Sequence, residues 1–423
     1  MQKTKSEFTK NVVTLMTGTA VAQAIPIAIS PILTRIYTPE DFGVFALFIS
    51  IISIFGIIAN ARYELAIMLP KKEEDAINIF ALGFIITCVI TLFLLILVII
   101  FNDYLKIFLE NEDIGFWLYF VPIAVFFSGM YNILNYFNNR KKNYKDLRNA
   151  TILKAIVLAI VQLSIGFIKS GASGLISGQL ISNMFANIKL SKNILKDKML
   201  VSKISKIKII ALAKKYKKFP KYSLPSSFCD IITTQLPFFL LPKIFGLQIS
   251  GFFFLSKRII SLPASLIASS VSQVYFQKLS DAKKNKERVF PIFIDTIKKL
   301  FLIALPTSLL MFLFSPIIFE IIFGKDWLIS GEIAKYLALV FFITFIVSPL
   351  SISFTVSMEL RRSAFWQYLY LITSSFLFLI FLLNDYELKT FLFYFVLHEY
   401  ILYGIYLYMI FKTVKSMDNF KKV

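Results

Sequence analysis

Residues 79–102 read IFALGFIITCVITLFLLILVIIFN, a run without an acidic or basic side chain. A helix needs about 20 apolar residues to cross the hydrocarbon core of a bilayer, so this run is long enough to span a membrane. Seven other runs of at least 19 residues also lack Asp, Glu, Lys and Arg: 11–34, 42–61, 114–139, 170–188, 300–319, 336–358 and 363–384. The sequence therefore predicts a polytopic membrane protein.

Four further apolar runs contain charged residues. They are 148–168 with Lys154, 220–243 with Asp230, 248–277 with Lys257 and Arg258, and 389–411 with Glu399. About twelve transmembrane helices are therefore predicted, in an all-α fold. The composition agrees, since 57% of the 423 residues are hydrophobic and 17% are charged, and the mean hydropathy is +0.73. About a quarter of the residues of a soluble domain are charged, so these values exclude a soluble globular enzyme.

The basic residues outnumber the acidic ones by 46 to 25, which gives a net charge of +21. They lie between the apolar runs, where Lys and Arg mark cytoplasmic loops, so we expect no nucleic-acid partner. With the N-terminus inside, the cytoplasmic segments hold 34 of these residues and the opposite loops hold six. A multi-pass protein with cytoplasmic N- and C-termini is predicted. The run 11–34 exceeds a signal-peptide core, so we expect it to be a retained helix.

The longest cytoplasmic connection, about 189–220, falls between the sixth and seventh predicted spans. It divides the chain into an N-terminal lobe, 1–195, a basic cytoplasmic linker, 196–218, and a C-terminal lobe, 219–423. Two six-helix lobes are thus predicted. In two-lobed transporters the substrate binds between the lobes, so we expect a central cavity.

The residues that enzymes use for chemistry are scarce in this chain. Its only histidine is His398, and its two cysteines, Cys88 and Cys229, lie inside apolar runs. No group of Asp, Glu, His and Cys has metal-ligand spacing, and no Gly-rich phosphate loop is present. The sequence therefore predicts a transporter without catalytic residues, a metal site or a cofactor.

Three ionisable residues lie near the middle of predicted spans: Asp230 in span seven, and Lys257 and Arg258 in span eight. Ionisable groups at such depth are costly, and they usually face a partner or a watery cavity. Two interpretations are open. The residues either form a structural ion pair, or they form a cationic substrate site that Asp230 balances. A cationic cavity would suit an anionic substrate, because guanidinium groups bind phosphates bidentately.

Two other groups of charged residues lie in or beside the spans. Arg35 and Arg62 are near span ends, where their side chains can reach the membrane surface. His398 and Glu399 are about ten residues into the last span, where they either take up a coupling proton or form a packed, hydrogen-bonded pair.

Prolines occur in the opening helices of both halves, where each removes a helix hydrogen bond and permits a kink. We expect them to let these helices bend during alternating access. They are Pro26, Pro31, Pro237, Pro242 and Pro263.

Four segments resemble a known family: YTPEDFGVFAL at 37–47, ARYELAIMLPKKEEDA at 61–76, FPKYSLPSSF at 219–228 and QLPFFLLPKIFGLQISGFFFLSKRIISLPASLI at 235–267. They resemble the bacterial polysaccharide-biosynthesis flippases, which translocate O-antigen and capsule repeat units. These belong to the multidrug/oligosaccharidyl-lipid/polysaccharide exporter superfamily.

The resemblance implies a flippase that moves an undecaprenyl-pyrophosphate-linked oligosaccharide across the bacterial inner membrane, for lipopolysaccharide O-antigen or capsule. It implies two lobes around a cationic cavity. Arg35, Arg62 with its partner Glu64, and Arg258 match the family's cavity positions, and Lys257 is included as a neighbour of Arg258. A proton or sodium gradient is the candidate driving force, and a polysaccharide polymerase is a candidate partner.

Two alternatives remain open. One is a cation-coupled exporter of small molecules or drugs, although span one lacks the acidic residue of the multidrug exporters. The other is an integral-membrane glycosyltransferase or polysaccharide polymerase, although the longest predicted outside loops are only about 12 to 16 residues.

Overall fold

A computed structural model describes residues 2–169 and 171–419, without the side chains of 2–13, 15, 16, 262–266, 360 and 419. The described residues form helices and connecting turns, with no β-strand. Twelve of these helices have 20 or more residues: α1 (Gln2–Ile36), α2 (Pro39–Ile58), α3 (Glu73–Leu109), α4 (Val121–Arg140), α5 (Tyr144–Ile168), α6 (Ser173–Lys196), α7 (Leu224–Phe245), α8 (Leu247–Lys284), α9 (Phe290–Phe323), α10 (Leu328–Val347), α11 (Leu360–Leu382) and α12 (Leu388–Asn419). The all-α membrane fold is therefore confirmed.

Each predicted span overlaps one of these twelve helices. Nine of the helical segments in the described chain are long and apolar enough to cross a membrane. The three long helices outside that group are α4, α6 and α8. Asparagines recur in α4 and α6, which makes these two helices less apolar. Polar residues in such helices usually face the interior of a helix bundle rather than lipid.

The start of α2 shows how a short motif fixes a helix end. Thr38 is the N-cap, and its side chain accepts a hydrogen bond from the Asp41 amide at 3.3 Å. The Asp41 carboxylate accepts one from the Thr38 amide at 3.0 Å, which completes a capping box. Pro39 occupies the first turn, where its missing N–H costs nothing. The hydroxyl of Tyr37 donates to the Gln162 carbonyl at 2.6 Å and ties this corner to α5.

The chain divides into two compact units, Met1–Lys243 and Ile244–Val423. Most of α7 groups with the first unit. The Ser50 hydroxyl on α2 donates to Gln235 Oε1 at 2.9 Å, and Lys243 Nζ lies 4.2 Å from the centre of the Phe108 ring. These contacts anchor α7 along its length to helices of the first unit.

The predicted lobe limits stay predictions, as does the central cavity between the lobes. The structure adds that the predicted linker, 196–218, is not an extended tether. It contains two short helices, Lys198–Val201 and Lys206–Lys215, and both contribute to the hydrophobic core of the first unit.

Large apolar side chains are exposed along the outer helices. On α3, Phe93, Ile99 and Ile100 are each about 60% exposed. Apolar surface of this extent is not stable in water, but it matches the hydrocarbon of a bilayer. Inside the second unit, small side chains join the helices, since the Ser256 hydroxyl on α8 donates to the Ser330 carbonyl on α10 at 2.7 Å. Serine at helix contacts is typical of membrane bundles.

Candidate functional site

The first unit presents charged residues at a turn that follows α2. Ala61 and Arg62 have positive φ angles of 47° and 64°, which residues other than glycine rarely adopt. The preceding Asn60 donates from Nδ2 to the Thr87 hydroxyl on α3 at 2.7 Å. Thr87 in turn donates to the Ala59 carbonyl at 3.0 Å. The body of α3 thus holds the turn in its unusual conformation.

Arg62 and Glu64 form an ion pair at this turn, with 3.3 Å between Nη1 and Oε1. The Glu64 side chain is 5% exposed and the Arg62 side chain 24% exposed. Among the described residues, Arg62 Nε, Glu64 Oε2 and Asn60 Oδ1 are buried without a hydrogen-bond partner. Buried polar atoms are nearly always paired in native proteins, so three unpaired atoms within five residues indicate a place where a polar ligand or water binds.

The environment of Glu64 is set by burial. The residue lies in a short 3₁₀ helix, Tyr63–Met68, between α2 and α3 and outside both spans. Burial raises the pKa of the Glu64 carboxyl above its ordinary value, while its backbone hydrogen bond and Arg62 lower the pKa by less. Glu64 contacts Arg62 through Nη1, and the Arg62 Nε makes no hydrogen bond to it.

The second unit holds the remaining predicted cations on α8. Lys257 and Arg258 are both half-buried. The Glu399 carboxylate on α12 acts on Lys257 through its charge. Arg258 has no ion-pair partner among the described residues of its own unit. A half-buried guanidinium without a counter-ion is suited to bind an anion.

Glu399 is the most enclosed acid of the second unit, with 2% of its surface exposed. The Tyr370 hydroxyl on α11 donates to Glu399 Oε1 at 2.8 Å. His398 Nδ1 lies 3.6 Å from the same oxygen and has no hydrogen-bond partner among the described residues. His398 Nε2 lies 3.0 Å from the Thr373 hydroxyl.

The tautomer of His398 is assigned from the hydrogen bonds around it. The Thr373 hydroxyl donates to the Leu369 carbonyl at 2.9 Å, so it accepts from His398 Nε2–H. In the neutral ring Nδ1 then carries a lone pair toward the Glu399 carboxylate.

Arg35 and Asp230 take no part in either cluster. Arg35 is exposed in the last turn of α1. Asp230 is exposed on α7 and has no ion-pair partner among the described residues of the first unit. The predicted pairing of Asp230 with Arg258 joins residues of different units, and it stays a prediction, as do the binding roles of all these residues.

Four of the predicted helix-bending prolines lie inside long helices. Pro26 and Pro31 lie inside α1, and Pro237 and Pro242 lie inside α7. Pro263 falls in 262–266, whose side chains lie outside the described residues. Bending at these prolines stays a prediction.

The sequence interpretation missed the aromatic and hydroxyl partners of the two clusters. Tyr136 on α4 lies close enough to Arg62 and Glu64 to interact with the charges of both, although it is more than 70 residues away in the chain. Tyr370 and Thr373 lie more than 20 residues before Glu399 and His398. No local pattern links such distant positions, so only the packing of the helices brings them together.

Comparison with known proteins identifies the family. A family model described as "Polysaccharide biosynthesis protein" matches residues 32–332. The chain belongs to this family. The match covers most of the chain, including the turn that carries Arg62 and the helix that carries Arg258, and it confirms the resemblance found in the sequence motifs.

One curated relative is the succinoglycan biosynthesis transport protein ExoT of Rhizobium meliloti (strain 1021). It is 20% identical over 317 residues, which cover 73% of this chain and 61% of that protein. The chain thus spans about three fifths of the length of this curated relative.

Solved structures from the multidrug/oligosaccharidyl-lipid/polysaccharide (MOP) superfamily are similar to this chain in fold. An inward-facing multidrug resistance MATE family transporter aligns over 96% of each chain with a TM-score of 0.74 and 14% identity. A MOP superfamily transporter from Pyrococcus furiosus aligns over 96% of each chain with a TM-score of 0.65 and 14% identity. At this identity the similarity establishes the fold alone.

Proposed function

We propose that this chain is a flippase of the bacterial cytoplasmic membrane. Its substrate would be an undecaprenyl-pyrophosphate-linked oligosaccharide repeat unit, which it moves to the outer leaflet by alternating access for O-antigen, capsule or a related polysaccharide. The family, the transporter fold and the transport function named for ExoT support this proposal. Both termini would be cytoplasmic, and a polysaccharide polymerase would receive the product.

The observation that carries the proposal is the Arg62–Glu64 pair. Its guanidinium has a buried Nε without a partner among the described residues, and its position is fixed by a strained turn. A guanidinium held in one orientation can donate two parallel hydrogen bonds to a phosphate. Arg62 would therefore bind the pyrophosphate, while the sugars lie in a water-filled space and the isoprenoid tail stays in the bilayer.

The cations of the second unit would bind the same kind of anion. Arg258 is half-buried, and no acid of its own unit pairs with it among the described residues. Lys257 lies beside it and is balanced by Glu399. Arg35 is exposed at the end of α1, where it can meet a phosphate that approaches from the membrane surface. Asp230 would moderate the positive charge of the substrate path.

The His398–Glu399 pair is the candidate site for coupling to a proton gradient. The two side chains lie together on α12, with 3.6 Å between His398 Nδ1 and Glu399 Oε1. A sodium ion is the other candidate driver. Replacement of His398 by Gln should then remove the pH dependence of transport if protons drive it, and it should leave sodium dependence intact if sodium does.

Export of the glycan in a host that lacks its own copy of the gene tests the proposal. R62A should abolish surface polysaccharide and accumulate the lipid-linked repeat unit inside, and R62K should retain part of the export. R361A is the matched control, because Arg361 is exposed at the start of α11 and lies in neither cluster.

Protein levels in the membrane should be equal in all variants. Full export by R62A would exclude Arg62 from the substrate site. Unchanged glycan export together with altered drug tolerance in the deletion strain would favour a small-molecule exporter. Failure to lengthen glycan chains, with normal translocation of single repeat units, would favour a polymerase.

A further inference from the structure

The segment between α6 and α7 contains a short helix, Lys206–Lys215, with the sequence KIKIIALAKK. Its inner side belongs to the core of the first unit. Leu212 is 6% exposed and packs in a cluster with Ile77 of α3, while Ile209 and Ala213 pack against that cluster. We call this ten-residue segment the connector helix.

Three side chains fix the connector helix on the start of α3. Asn78 Oδ1 accepts from the Ser205 amide at 2.8 Å, and Asn78 Nδ2 donates to the Lys203 carbonyl at 3.1 Å. Lys208 forms an ion pair with Glu74. Asn78 is fully buried, so its two hydrogen bonds are protected from water. The connector helix is therefore part of the folded unit rather than a free tether.

These anchors also set the depth of the connector helix relative to the membrane. Glu74 and Asn78 lie in the first two turns of α3, and the charge-free run of that helix begins at residue 79. Contacts with these residues place the connector helix at the level where the polar end of α3 gives way to its apolar part. This level corresponds to the interface between lipid headgroups and hydrocarbon.

The outer side of the segment is both apolar and basic. Ile207 is 81% exposed, Ile210 is 47% exposed and, just before the connector helix, Met199 is 79% exposed. Lys206 and Lys214 are exposed on the same side, since they lie four residues either side of Ile210. Helices that combine exposed apolar residues with lysines in this way lie in the membrane interface.

We propose that the outer side of the connector helix docks on the anionic lipids of the leaflet that borders it. Ile207 and Ile210 would enter the headgroup region, and Lys206 and Lys214 would contact lipid phosphates. The choice of a lipid surface follows from the depth of the helix and from its charge. A soluble partner would have to displace headgroups to reach isoleucines at this level, whereas anionic lipids attract lysines within a Debye length.

The docked helix would also affect the turn that carries Arg62. Tyr63 lies between Arg62 and Glu64, and its hydroxyl donates to the Ala213 carbonyl of the connector helix at 3.0 Å. Attachment of the connector helix to the membrane would therefore brace this turn. The docking itself does not depend on which substrate the protein carries.

Depth-dependent quenching in reconstituted full-length protein tests the docking. With Cys88 and Cys229 replaced by serine, the I207C variant carries an environment-sensitive fluorophore. The vesicles contain nitroxide-labelled lipid in phosphatidylcholine, with or without phosphatidylglycerol. We expect strong quenching that increases with phosphatidylglycerol. The control is N285C, because Asn285 is exposed in the turn after α8 beside other lysines, and we expect little quenching there.

Charge variants complete the test. K206Q/K214Q should lose the increase caused by phosphatidylglycerol, and K284Q/K286Q, which removes the same charge elsewhere, should retain it. Quenching at position 207 no greater than at 285, or equal in both vesicle types, would overturn the proposal. So would a signal that follows protein density rather than lipid composition, since a second copy of the chain would then cover the surface.

Discussion

The hydroxyl of Tyr370 donates a 2.8 Å hydrogen bond to Oε1 of Glu399 and so joins α11 to α12. A buried carboxylate in a membrane span is costly unless donors and opposite charge compensate it. Tyr370 supplies the donor, and the Lys257 ammonium supplies charge from α8. Together these two groups compensate the cost of burying Glu399 in the second unit.

Y370F should lower the thermal stability of the detergent-solubilised protein, because it removes a donor from a buried acceptor. A loss of this kind typically costs about 1–3 kcal/mol. In an E399Q background the same substitution should cost less, because a hydrogen bond to an amide oxygen is weaker than one to a carboxylate. Y368F is the control, since Tyr368 on the same helix is 42% exposed. Equal stability of Y370F and Y368F would show that the hydrogen bond contributes nothing.

A second prediction concerns the ion pair of the first unit. R62A leaves Glu64 buried without its partner, so we expect a loss on the order of 1–3 kcal/mol in unfolding free energy. R62A/E64Q should recover most of this stability and remain inactive in glycan export. Thermal unfolding and export, measured on the same preparations, separate the structural role of the pair from its binding role. Recovery of export in the double variant would argue against a binding role for Arg62.

A third prediction concerns pH. Because burial raises the pKa of Glu64, the folded protein binds this proton more tightly than the unfolded chain. The contribution of Glu64 to the unfolding free energy is therefore greatest below pH 4.5, the ordinary pKa of the carboxyl. It is lost as the pH rises from 4.5 through the raised pKa of the folded protein. E64Q should show a smaller decline over that window than the parent protein. Parallel thermal-stability curves for the two proteins would contradict this assignment.

The membrane spans could be predicted from the sequence because membrane helices need long apolar runs. Such runs are visible without any tertiary information. The contact of Arg62 with Glu64 also follows from near neighbours in the chain. By contrast, the partners of Glu399 could not be predicted. Tyr370 lies on another helix, and the rotation of that helix about its axis is set by packing.

The segment 196–218 shows a different limit of the sequence. Its lysines predict a basic cytoplasmic linker. The same segment also contains Leu200 and Leu212, which are both buried against α3. The decisive contact is made by Asn78, whose side chain pairs with backbone groups more than 120 residues later. Composition alone cannot reveal such a contact, because it does not distinguish Asn78 from any other polar residue at the start of α3.

A fourth prediction concerns orientation. A cysteine at Lys217, in a chain without native cysteines, should react with a membrane-impermeant thiol reagent only after the cells are opened, since the basic segment is expected in the cytoplasm. Asp385, exposed between α11 and α12, is the matched site on the opposite side. D385C should react in intact cells. Reversal of the two results would invert the predicted topology.

The last prediction concerns the close approach of α4 to the turn that carries Arg62. A Cβ added at Gly129 would lie 2.8 Å from Thr87 Cγ2 and 3.0 Å from Ala59 Cβ. Thr87 cannot move easily, because its hydroxyl accepts from Asn60 and its one hydrogen is shared between the Gly83 and Ala59 carbonyls. G129A should therefore displace α4 or the turn.

Overpacking of this kind typically costs about 1–3 kcal/mol, and we expect G129A to lower both thermal stability and export. Gly404 on α12 is the matched control, because an added Cβ there meets nothing within 4 Å. Alanine favours helix over glycine by roughly 0.5–1 kcal/mol, so G404A should leave stability equal or higher. If G129A were as stable and as active as G404A, the turn would not depend on close packing of α4, and Arg62 would be positioned by α3 alone.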